Sequence, residues 1–170
     1  MDTKKLTRLA LICAVCVVTR ISFRLIPNVQ ILSPIILILA IEGRLDESII
    51  VSVITMLVTS FYLGFGYWVI FQIIDYGILG FINYLIFNKA NLKKTSISKT
   101  VAVGLSGFAY GFLISIMQNI LMGGSLATFL AIYAGSIPFD INHMFGNAVI
   151  YYLLINRIEA YLLGDKQIRS

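Results

Sequence analysis

Polar residues inside otherwise apolar runs are the first candidates for chemistry in this sequence. Gln72 and Asp75 lie in the run FYLGFGYWVIFQIIDY, which covers residues 61–76 and turns through two glycines. An ionised carboxylate in hydrocarbon costs about 2.5–3.5 kcal/mol on insertion scales, so such a residue usually faces a protein interior and marks a site. Asp75 therefore predicts a polar site, and the question is what meets its carboxylate.

A second polar group lies in the run IPFDINHMFGN, residues 137–147. Asp140, His143 and Asn147 follow at i, i+3 and i+7, which places them on one helical face. One histidine and no second carboxylate on this helix fall short of the three or four ligands of a metal site, so none is predicted. No nearby Ser or Cys suggests a base–nucleophile pair with His143, so no catalytic residue is predicted.

The composition predicts an all-α integral membrane protein. The chain has 170 residues, 59% of them hydrophobic and 12% charged, with a mean hydropathy of +0.92. Soluble domains average about 45–50% apolar and about 25% charged residues. We expect a single transmembrane substrate-binding domain over residues 1–170 with no cofactor. The net charge of +5 does not indicate a nucleic-acid partner, because membrane proteins retain Lys and Arg in cytoplasmic loops.

The apolar runs predict six transmembrane helices. They cover residues 6–26, 31–41, 48–63, 67–87, 100–122 and 138–163. Residues 31–41 are short for a bilayer core that needs about 20 residues, so this helix is expected either to span with help from the preceding turn or to tilt and line a cavity. Residues 88–99 form a polar loop between two three-helix halves. Residues 126–134 are too short to cross and predict a re-entrant or surface hairpin, with Pro138 in the first turn of the last span.

The basic residues predict the orientation. With the N-terminus inside, all of the 13 basic residues except Arg20 and Arg24 fall in inner segments or at their borders. Cytoplasmic loops carry an excess of Lys and Arg. We therefore expect a multi-pass protein of the plasma membrane with both termini in the cytoplasm.

In this topology the polar residues within the spans converge on the outer half of the helix bundle. A mostly apolar wall with a few polar groups is typical of small-molecule sites, and the aromatic residues Phe23, Phe71 and Tyr76 are expected in that wall. The predicted substrate-binding residues are Arg20, Arg24, Asn28, Gln30, Tyr67, Trp68, Gln72, Asp75, Asn119, Asp140, His143 and Asn147.

Each of these residues also has a structural explanation. Long basic side chains near helix ends commonly reach the lipid headgroups, and aromatic residues anchor helices at the interface. The structural explanations are headgroup contact for Arg20 and Arg24, an ion pair of Arg20 with Asp75 or Asp140, core packing for His143, and interfacial anchoring for Tyr67 and Trp68. Their common depth favours a site.

Ala10 and Ala14 form a stripe of small residues in the inner half of the first span. Small residues four apart let another helix backbone approach closely. The stripe predicts either a docking face for a partner or internal packing. Cys13 and Cys16 form a C-x-x-C inside the same apolar helix, where buried free cysteine behaves as a small hydrophobe.

At this point the sequence resembles the substrate-binding S components of energy-coupling factor (ECF) vitamin transporters. The resemblance covers nearly the whole chain, in its size, its six spans, its cytoplasmic N-terminus and its A-x-x-x-A in the first span. More specific features are RISFRLIPNVQ at residues 20–30, GFGYW at residues 64–68, and IPFDINHMFGN at residues 137–147.

The resemblance implies an S-component-like bundle that captures a vitamin or vitamin precursor from outside. It also implies docking through Ala10 and Ala14 to a transmembrane T component, with two cytoplasmic ABC-type ATPases driving release. The chain contains no G-x-x-x-x-G-K-[ST] loop of its own.

The substrate class stays open between hydroxymethylpyrimidine, a corrinoid such as cobalamin, and pantothenate. Arg20 and Arg24 could bind a carboxylate or phosphate, whereas Asp75 and Asp140 could accept hydrogen bonds from a pyrimidine or an amide-rich ligand. A membrane-embedded enzyme and an assembly or scaffold membrane protein are the alternative functions.

Overall fold

A computed structural model describes residues 3–23 and 29–164, and these are almost entirely helical, with no strand among them. The helices are α1 Thr3–Ser22, α2 Leu32–Ile41, α3 Leu45–Leu63, α4 Tyr67–Tyr84, α5 Ser96–Leu121, α6 Leu126–Ile150 and α7 Asn156–Leu163. A π-helical segment, Leu85–Lys89, continues α4, and another, Tyr151–Ile155, joins α6 to α7 without a break. The described chain therefore forms six continuous helical rods, and the expected all-α class is confirmed.

Three of these rods are long and apolar enough to cross a membrane. They are Leu45–Leu63, Tyr67–Lys89 and Ser96–Leu121. Their outward faces carry large apolar side chains, such as Phe61, which is 81% exposed, and on α6 Leu126 is 74% exposed. Soluble proteins rarely expose apolar patches on this scale. The chain thus has the helices and the surface of a membrane protein.

Helix α2 forms the centre of the bundle, and all ten of its residues are buried. It packs against α3, α4 and α5, and more lightly against α1 and α6. A helix that is apolar all round buries every face. The residues of α2 therefore contact protein on all sides.

Helices α5 and α6 pack as a close antiparallel pair along their length. Glycines on α5 make the close approach possible. A Cβ atom added at Gly107 would lie 2.8 Å from the carbonyl oxygen of His143, and one added at Gly104 would lie 3.3 Å from the Cβ atom of Ala148. Small residues at such an interface let two backbones approach. The pairing brings the polar face of α6 into the bundle.

The predicted hairpin at residues 126–134 is wrong. Helix α6 begins at Leu126 with Ser125 as its N-cap, whose hydroxyl accepts a hydrogen bond from the Thr128 amide in a capping box. Pro138 lies inside this helix and not in its first turn. Proline costs a helix one backbone hydrogen bond, and packing against α5 maintains the helix across it. The sequence signal of Gly135 and Ser136 before Pro138 was therefore overridden by tertiary contacts.

The ion pairs of the described residues lie at one end of the bundle, which we call the charged end. It contains Lys5, Arg8, Glu42, Arg44, Asp46, Glu47, Lys94, Lys99 and Glu159. Glu47 is 3% exposed, and its carboxylate lies 2.6 Å from Arg8 and 3.2 Å from Lys5. Arg8 also donates to the carbonyl oxygen of Leu163. These contacts hold the start of α1 against the start of α3 and the end of α7.

A second group of charges at this end involves α5. The Lys99 ammonium lies 2.7 Å from Glu42 and 2.5 Å from Glu159, and the Tyr151 hydroxyl donates to Glu159 at 3.0 Å. Nearby, the Asn88 side-chain amide donates to the Ile41 carbonyl oxygen at 3.0 Å, at the end of α2. The buried carboxylates of this end each have a cationic partner.

Candidate functional site

A cavity of about 500 Å³ opens at the opposite end of the bundle, which we call the cavity end. Helices α1, α4, α5 and α6 surround it, together with residues 29–30 and the end of α3. Its lining residues are Arg20, Phe23, Val29, Gln30, Leu63, Trp68, Phe71, Gln72, Tyr110, Gly111, Ile114, Ser115, Gln118, Ser136, Phe139 and Asp140. The volume is within the range of about 300–1,000 Å³ that small-molecule sites occupy.

Arg20 is the cation of this cavity. It lies in the last turn of α1, and one terminal nitrogen donates to the Gln72 side-chain oxygen at 2.8 Å. The other terminal nitrogen lies 3.4 Å from the Gln30 side-chain oxygen, and the buried Nε has no hydrogen-bond partner. The two glutamines hold the guanidinium without neutralising it, because an amide carries no net charge.

The ion pair predicted as an alternative for Arg20 does not form in the described part of the chain. Asp75 has no hydrogen-bond partner at either carboxylate oxygen, and Asp140 accepts from Ser136 at 2.8 Å. The alternative of headgroup contact is also not what the structure shows for Arg20, because its side chain points to Gln72. Arg24 and Asn28 lie outside the described residues.

Asp140 supplies the carboxylate of the cavity, from α6. Asp140 is 2% exposed and accepts a hydrogen bond from the Ser136 hydroxyl at 2.8 Å. The Ser136 hydroxyl also lies 3.4 Å from the Ser115 hydroxyl of α5. A Cβ atom added at Gly111 would overlap the Asp140 carboxylate. Asp140 can therefore occupy this position only because α5 carries a glycine opposite it.

Aromatic side chains form much of the remaining wall. Trp68 and Phe71 come from the start of α4, Phe23 follows α1, and Phe139 and Tyr110 complete the wall on α6 and α5. The Trp68 ring covers the backbone of the glycine two positions before it, where any Cβ atom would overlap the ring. Gly66 is thus required before the start of α4 for the Trp68 ring to lie over the turn.

Tyr67 does not line the cavity. It is 49% exposed, and its ring contacts Trp68 and Phe71 at centroid distances of 5.5 Å. This position suits the structural explanation, in which Tyr67 anchors the helix at a membrane interface.

Asp75 is fully buried one turn further along α4 than Gln72, and it does not line the cavity. Both of its carboxylate oxygens lack a hydrogen-bond partner. Buried polar groups in native proteins are almost always hydrogen-bonded, so an unpartnered carboxylate is exceptional. The structure brings Asp75 close to the predicted site but leaves it without a described partner.

His143 belongs to a buried hydrogen-bonded group beneath the cavity. Its Nε2 lies 3.0 Å from the Ser33 hydroxyl, which lies 2.6 Å from the Tyr76 hydroxyl. The Tyr110 ring packs on both Tyr76 and His143, at centroid distances of 5.1 Å and 4.9 Å. These contacts extend from the cavity wall at Tyr110 into the centre of the bundle at α2.

The sequence shows no serine near His143 along the chain, and the structure brings Ser33 to it from the distant helix α2. Both residues are at most 1% exposed and neither lines the cavity. A catalytic base and nucleophile must reach a substrate. The placement favours the structural explanation of His143 as a core histidine.

The two predicted asparagines of the described chain lie outside the cavity lining. Asn147 is buried against Gly107 of α5, and its side-chain atoms have no hydrogen-bond partner. Asn119 donates to the Gly124 carbonyl oxygen at 3.3 Å, in the turn between α5 and α6. Asn119 therefore has a structural contact that explains its position.

Asn119 was the only residue of α5 predicted at the site, and the α5 residues that line the cavity were missed. Tyr110, Gly111 and Ser115 line the cavity but were not among the predicted binding residues. The signal was the recurrence of small residues at Gly104, Gly107, Gly111 and Ser115, which repeats every three or four residues along one helical face. Ser136 of α6 lies one turn before Asp140 and was missed because the helix was expected to begin at Pro138. Phe139, the residue before Asp140, was not predicted either.

The stripe of Ala10 and Ala14 lies on the outside of α1. Both alanines are exposed, and so are their neighbours Leu6 and Leu11. The opposite face of α1, with Ile12 and both cysteines, is buried. Internal packing of the stripe, one of the two alternatives from the sequence, is therefore wrong for this fold.

Comparisons with known proteins found no match: no family model, no curated protein and no solved structure is similar to this chain. The function must therefore be argued from the chain's own geometry. The described lining of the cavity has one cation and one carboxylate on different helices, among aromatic walls. Such an arrangement can bind and orient a small polar molecule.

Proposed function

We propose that this chain is the substrate-capture subunit of an ATP-driven ECF-type importer for a vitamin or vitamin precursor. The observation that carries the proposal is the cavity of about 500 Å³ in which Arg20 has only neutral partners among the described residues. A cation held without a counter-ion in a membrane protein marks a functional site. The substrate enters this cavity from the outer face of the plasma membrane.

The proposed topology has six transmembrane helices with both termini in the cytoplasm. It is supported by the separation of the two ends, because Lys5, Arg8, Lys94 and Lys99 lie at the charged end and Arg20 lies at the cavity end. Under the positive-inside rule the charged end is cytoplasmic. The cavity then opens to the outside.

In the proposed complex, a transmembrane T component binds the outer face of α1 at Ala10 and Ala14. The exposure of both alanines supports this role, since the stripe is available to another helix. Two cytoplasmic ABC-type ATPases supply the energy in this proposal, in agreement with the lack of a P-loop sequence in the chain.

Ligand binding by the isolated chain tests the central claim. The chain is purified in detergent and titrated with pantothenate, hydroxymethylpyrimidine and cobalamin, and both the melting temperature and the fluorescence of the sole tryptophan are recorded. Trp68 lines the cavity, so a bound ligand changes its emission. A ligand at 100 times its dissociation constant stabilises the fold by about 2.7 kcal/mol.

A folded sample that binds none of these compounds or their precursors would favour an assembly or scaffold protein. The enzyme alternative rests on the Ser33–His143 contact of 3.0 Å. It predicts turnover of a bound ligand that Ser33→Ala abolishes, whereas a binding protein releases its ligand unchanged.

Docking is tested by enlarging the stripe. Ala10→Trp and Ala14→Trp should abolish uptake in cells while ligand binding by the purified chain stays unchanged, because the cavity lies at the other end of α1. Val101→Trp, which adds the same side chain at an exposed position of α5, is the matched control and should leave uptake intact. Uptake that persists in both alanine variants would remove α1 as the docking face.

A further inference from the structure

We infer that the substrate carries a carboxylate or phosphate group that binds Arg20, together with a hydrogen-bond donor that binds Asp140. This inference rests on the proposed function, because it names the chemical class of the molecule that fills the cavity. The sequence left open whether the charged residues bind ligand or neutralise one another. In the described chain they do not form a pair, and the cavity has two chemically different walls.

The first wall favours an anion. A guanidinium has five N–H donors, and Arg20 uses its terminal nitrogens on two amide oxygens, at 2.8 Å and 3.4 Å. The two terminal nitrogens carry four of these five donors, so each keeps one N–H beyond its glutamine contact. These N–H groups can bind the oxygens of a carboxylate or phosphate. The glutamines therefore orient Arg20 and leave donors for an anionic ligand.

A neutral or cationic group at this wall would be unfavourable. A buried charge without a counter-ion keeps its desolvation cost, and a neutral ligand would displace water from Arg20 without neutralising it. A cation would add repulsion between like charges. An anion removes both costs, which is why charge-assisted pairs of this kind are about twice as strong as neutral hydrogen bonds.

The second wall favours a donor. An ionised carboxylate only accepts hydrogen bonds, and Asp140 accepts from Ser136 at 2.8 Å. A ligand hydroxyl or amide N–H can donate a further hydrogen bond to the Asp140 carboxylate, whereas this carboxylate would repel an anionic group of the ligand. The aromatic residues Trp68 and Phe71 form apolar wall in the same cavity. The ligand is therefore a small molecule with an anionic group, an apolar body and a separate donor.

Matched pairs of compounds that differ only in the anionic group test the inference. Pantothenate against panthenol and nicotinate against nicotinamide test a carboxylate, and pyridoxine phosphate against pyridoxine tests a phosphate. The full chain in detergent is titrated, with Trp68 fluorescence as the readout. The anionic member of at least one pair should bind about 10- to 100-fold more tightly than its neutral counterpart.

Variants show which residue causes the tighter binding of the anionic compound. Arg20→Gln should remove this difference in affinity. Arg157→Gln, which deletes an exposed arginine at the charged end, should leave it unchanged. Gln72→Glu places a carboxylate within reach of Arg20 at nearly constant shape, so it should abolish anion binding while the fold stays at least as stable. Asp140→Asn should weaken binding of the anionic compound, which should still bind more tightly than its neutral counterpart.

A measurement that needs no known substrate completes the test. Phenylglyoxal modifies accessible arginines, and mass spectrometry reports the modification at Arg20. Acetate or inorganic phosphate, compared at fixed ionic strength, should slow this modification, and neither should slow it at Arg157. Protection by acetate alone assigns a carboxylate, and protection by phosphate alone assigns a phosphate.

The outcomes separate this inference from the proposed function. Tight binding of a neutral vitamin that Arg20→Gln leaves unchanged would overturn the inference and keep the importer. Anion protection of Arg20 without any vitamin binding would support the anion site and count against the importer. A folded sample that shows neither vitamin binding nor anion protection of Arg20 would overturn both the inference and the proposed importer.

Discussion

The two ends of the bundle treat buried charge in opposite ways. At the charged end, Glu47 is surrounded by Arg8, Lys5 and Arg44 within 3.7 Å. At the cavity end, Arg20 has only amide partners among the described residues, and Asp75 has no hydrogen-bond partner among them. Ion pairs that neutralise one another hold helices together, whereas Arg20, a cation in the cavity lining without a described counter-ion, can meet a ligand. The contrast supports a structural role for the charged end and the proposed binding role for the cavity end.

The largest expected effect comes from breaking the charged end. Glu47→Gln removes the counter-ion of Arg8. Removal of one partner of a buried ion pair costs about 3–5 kcal/mol. We expect that loss in the free energy of unfolding, measured by denaturant titration in detergent. Ligand binding by the fraction that remains folded, measured by Trp68 fluorescence, should be unchanged because the cavity lies at the other end.

Asp46→Asn is the matched control for this variant. Asp46 is adjacent in sequence and also pairs with Lys5, at 2.9 Å, but its side chain is 64% exposed. Exposed pairs contribute about 0–1 kcal/mol. Equal losses for the two variants would show that burial does not separate these carboxylates, and the contrast between the two ends would lose its basis.

Removal of the unpartnered carboxylate at the other end should have the opposite sign. Asp75→Leu keeps a similar volume and deletes two buried oxygens without hydrogen bonds. An unsatisfied buried polar group costs about 1–3 kcal/mol, so the free energy of unfolding should rise by about that amount. Asp140→Leu, which removes the acceptor of Ser136, should give no such gain. A loss of stability in the Asp75 variant would reveal a partner for this carboxylate.

The contact between α5 and α6 connects the two ends and provides a smaller test. Gly107→Ala puts a methyl group against the His143 backbone, with a distance of 2.8 Å to its carbonyl oxygen. Overpacking of this kind costs about 1–3 kcal/mol, which thermal unfolding should report. Ligand binding should weaken as well, because the same pairing places Asp140 in the cavity.

Gly77→Ala is the matched control and the smallest expected effect. A Cβ atom at Gly77 meets nothing within 4 Å. Alanine in an open helical position is favoured over glycine by about 0.5–1 kcal/mol, so the melting temperature should rise slightly. If both glycine variants changed stability in the same direction, the close approach of α5 and α6 would not depend on Gly107.

Much of the fold could be predicted because its determinants are local. The apolar runs predicted α3, α4 and α5 within a few residues, since their length and hydropathy are properties of contiguous sequence. Gly64, with a φ of +96°, and Gly66 marked the turn between α3 and α4. The start of α6 could not be predicted correctly, because the packing that maintains a helix across Pro138 comes from α5, which is remote in sequence.

The sequence by itself determined that the chain is helical and membrane-like, that its basic residues are unevenly distributed, and that Arg20, Gln72 and Asp140 are unusual in their apolar surroundings. Tertiary structure alone decided which of these residues meet. Arg20 binds an amide of α4 instead of a carboxylate, His143 meets a serine of α2, and Asp140 fits opposite Gly111. Composition and periodicity act through neighbouring residues, whereas each of these contacts joins helices whose relative position depends on the packing of the whole bundle.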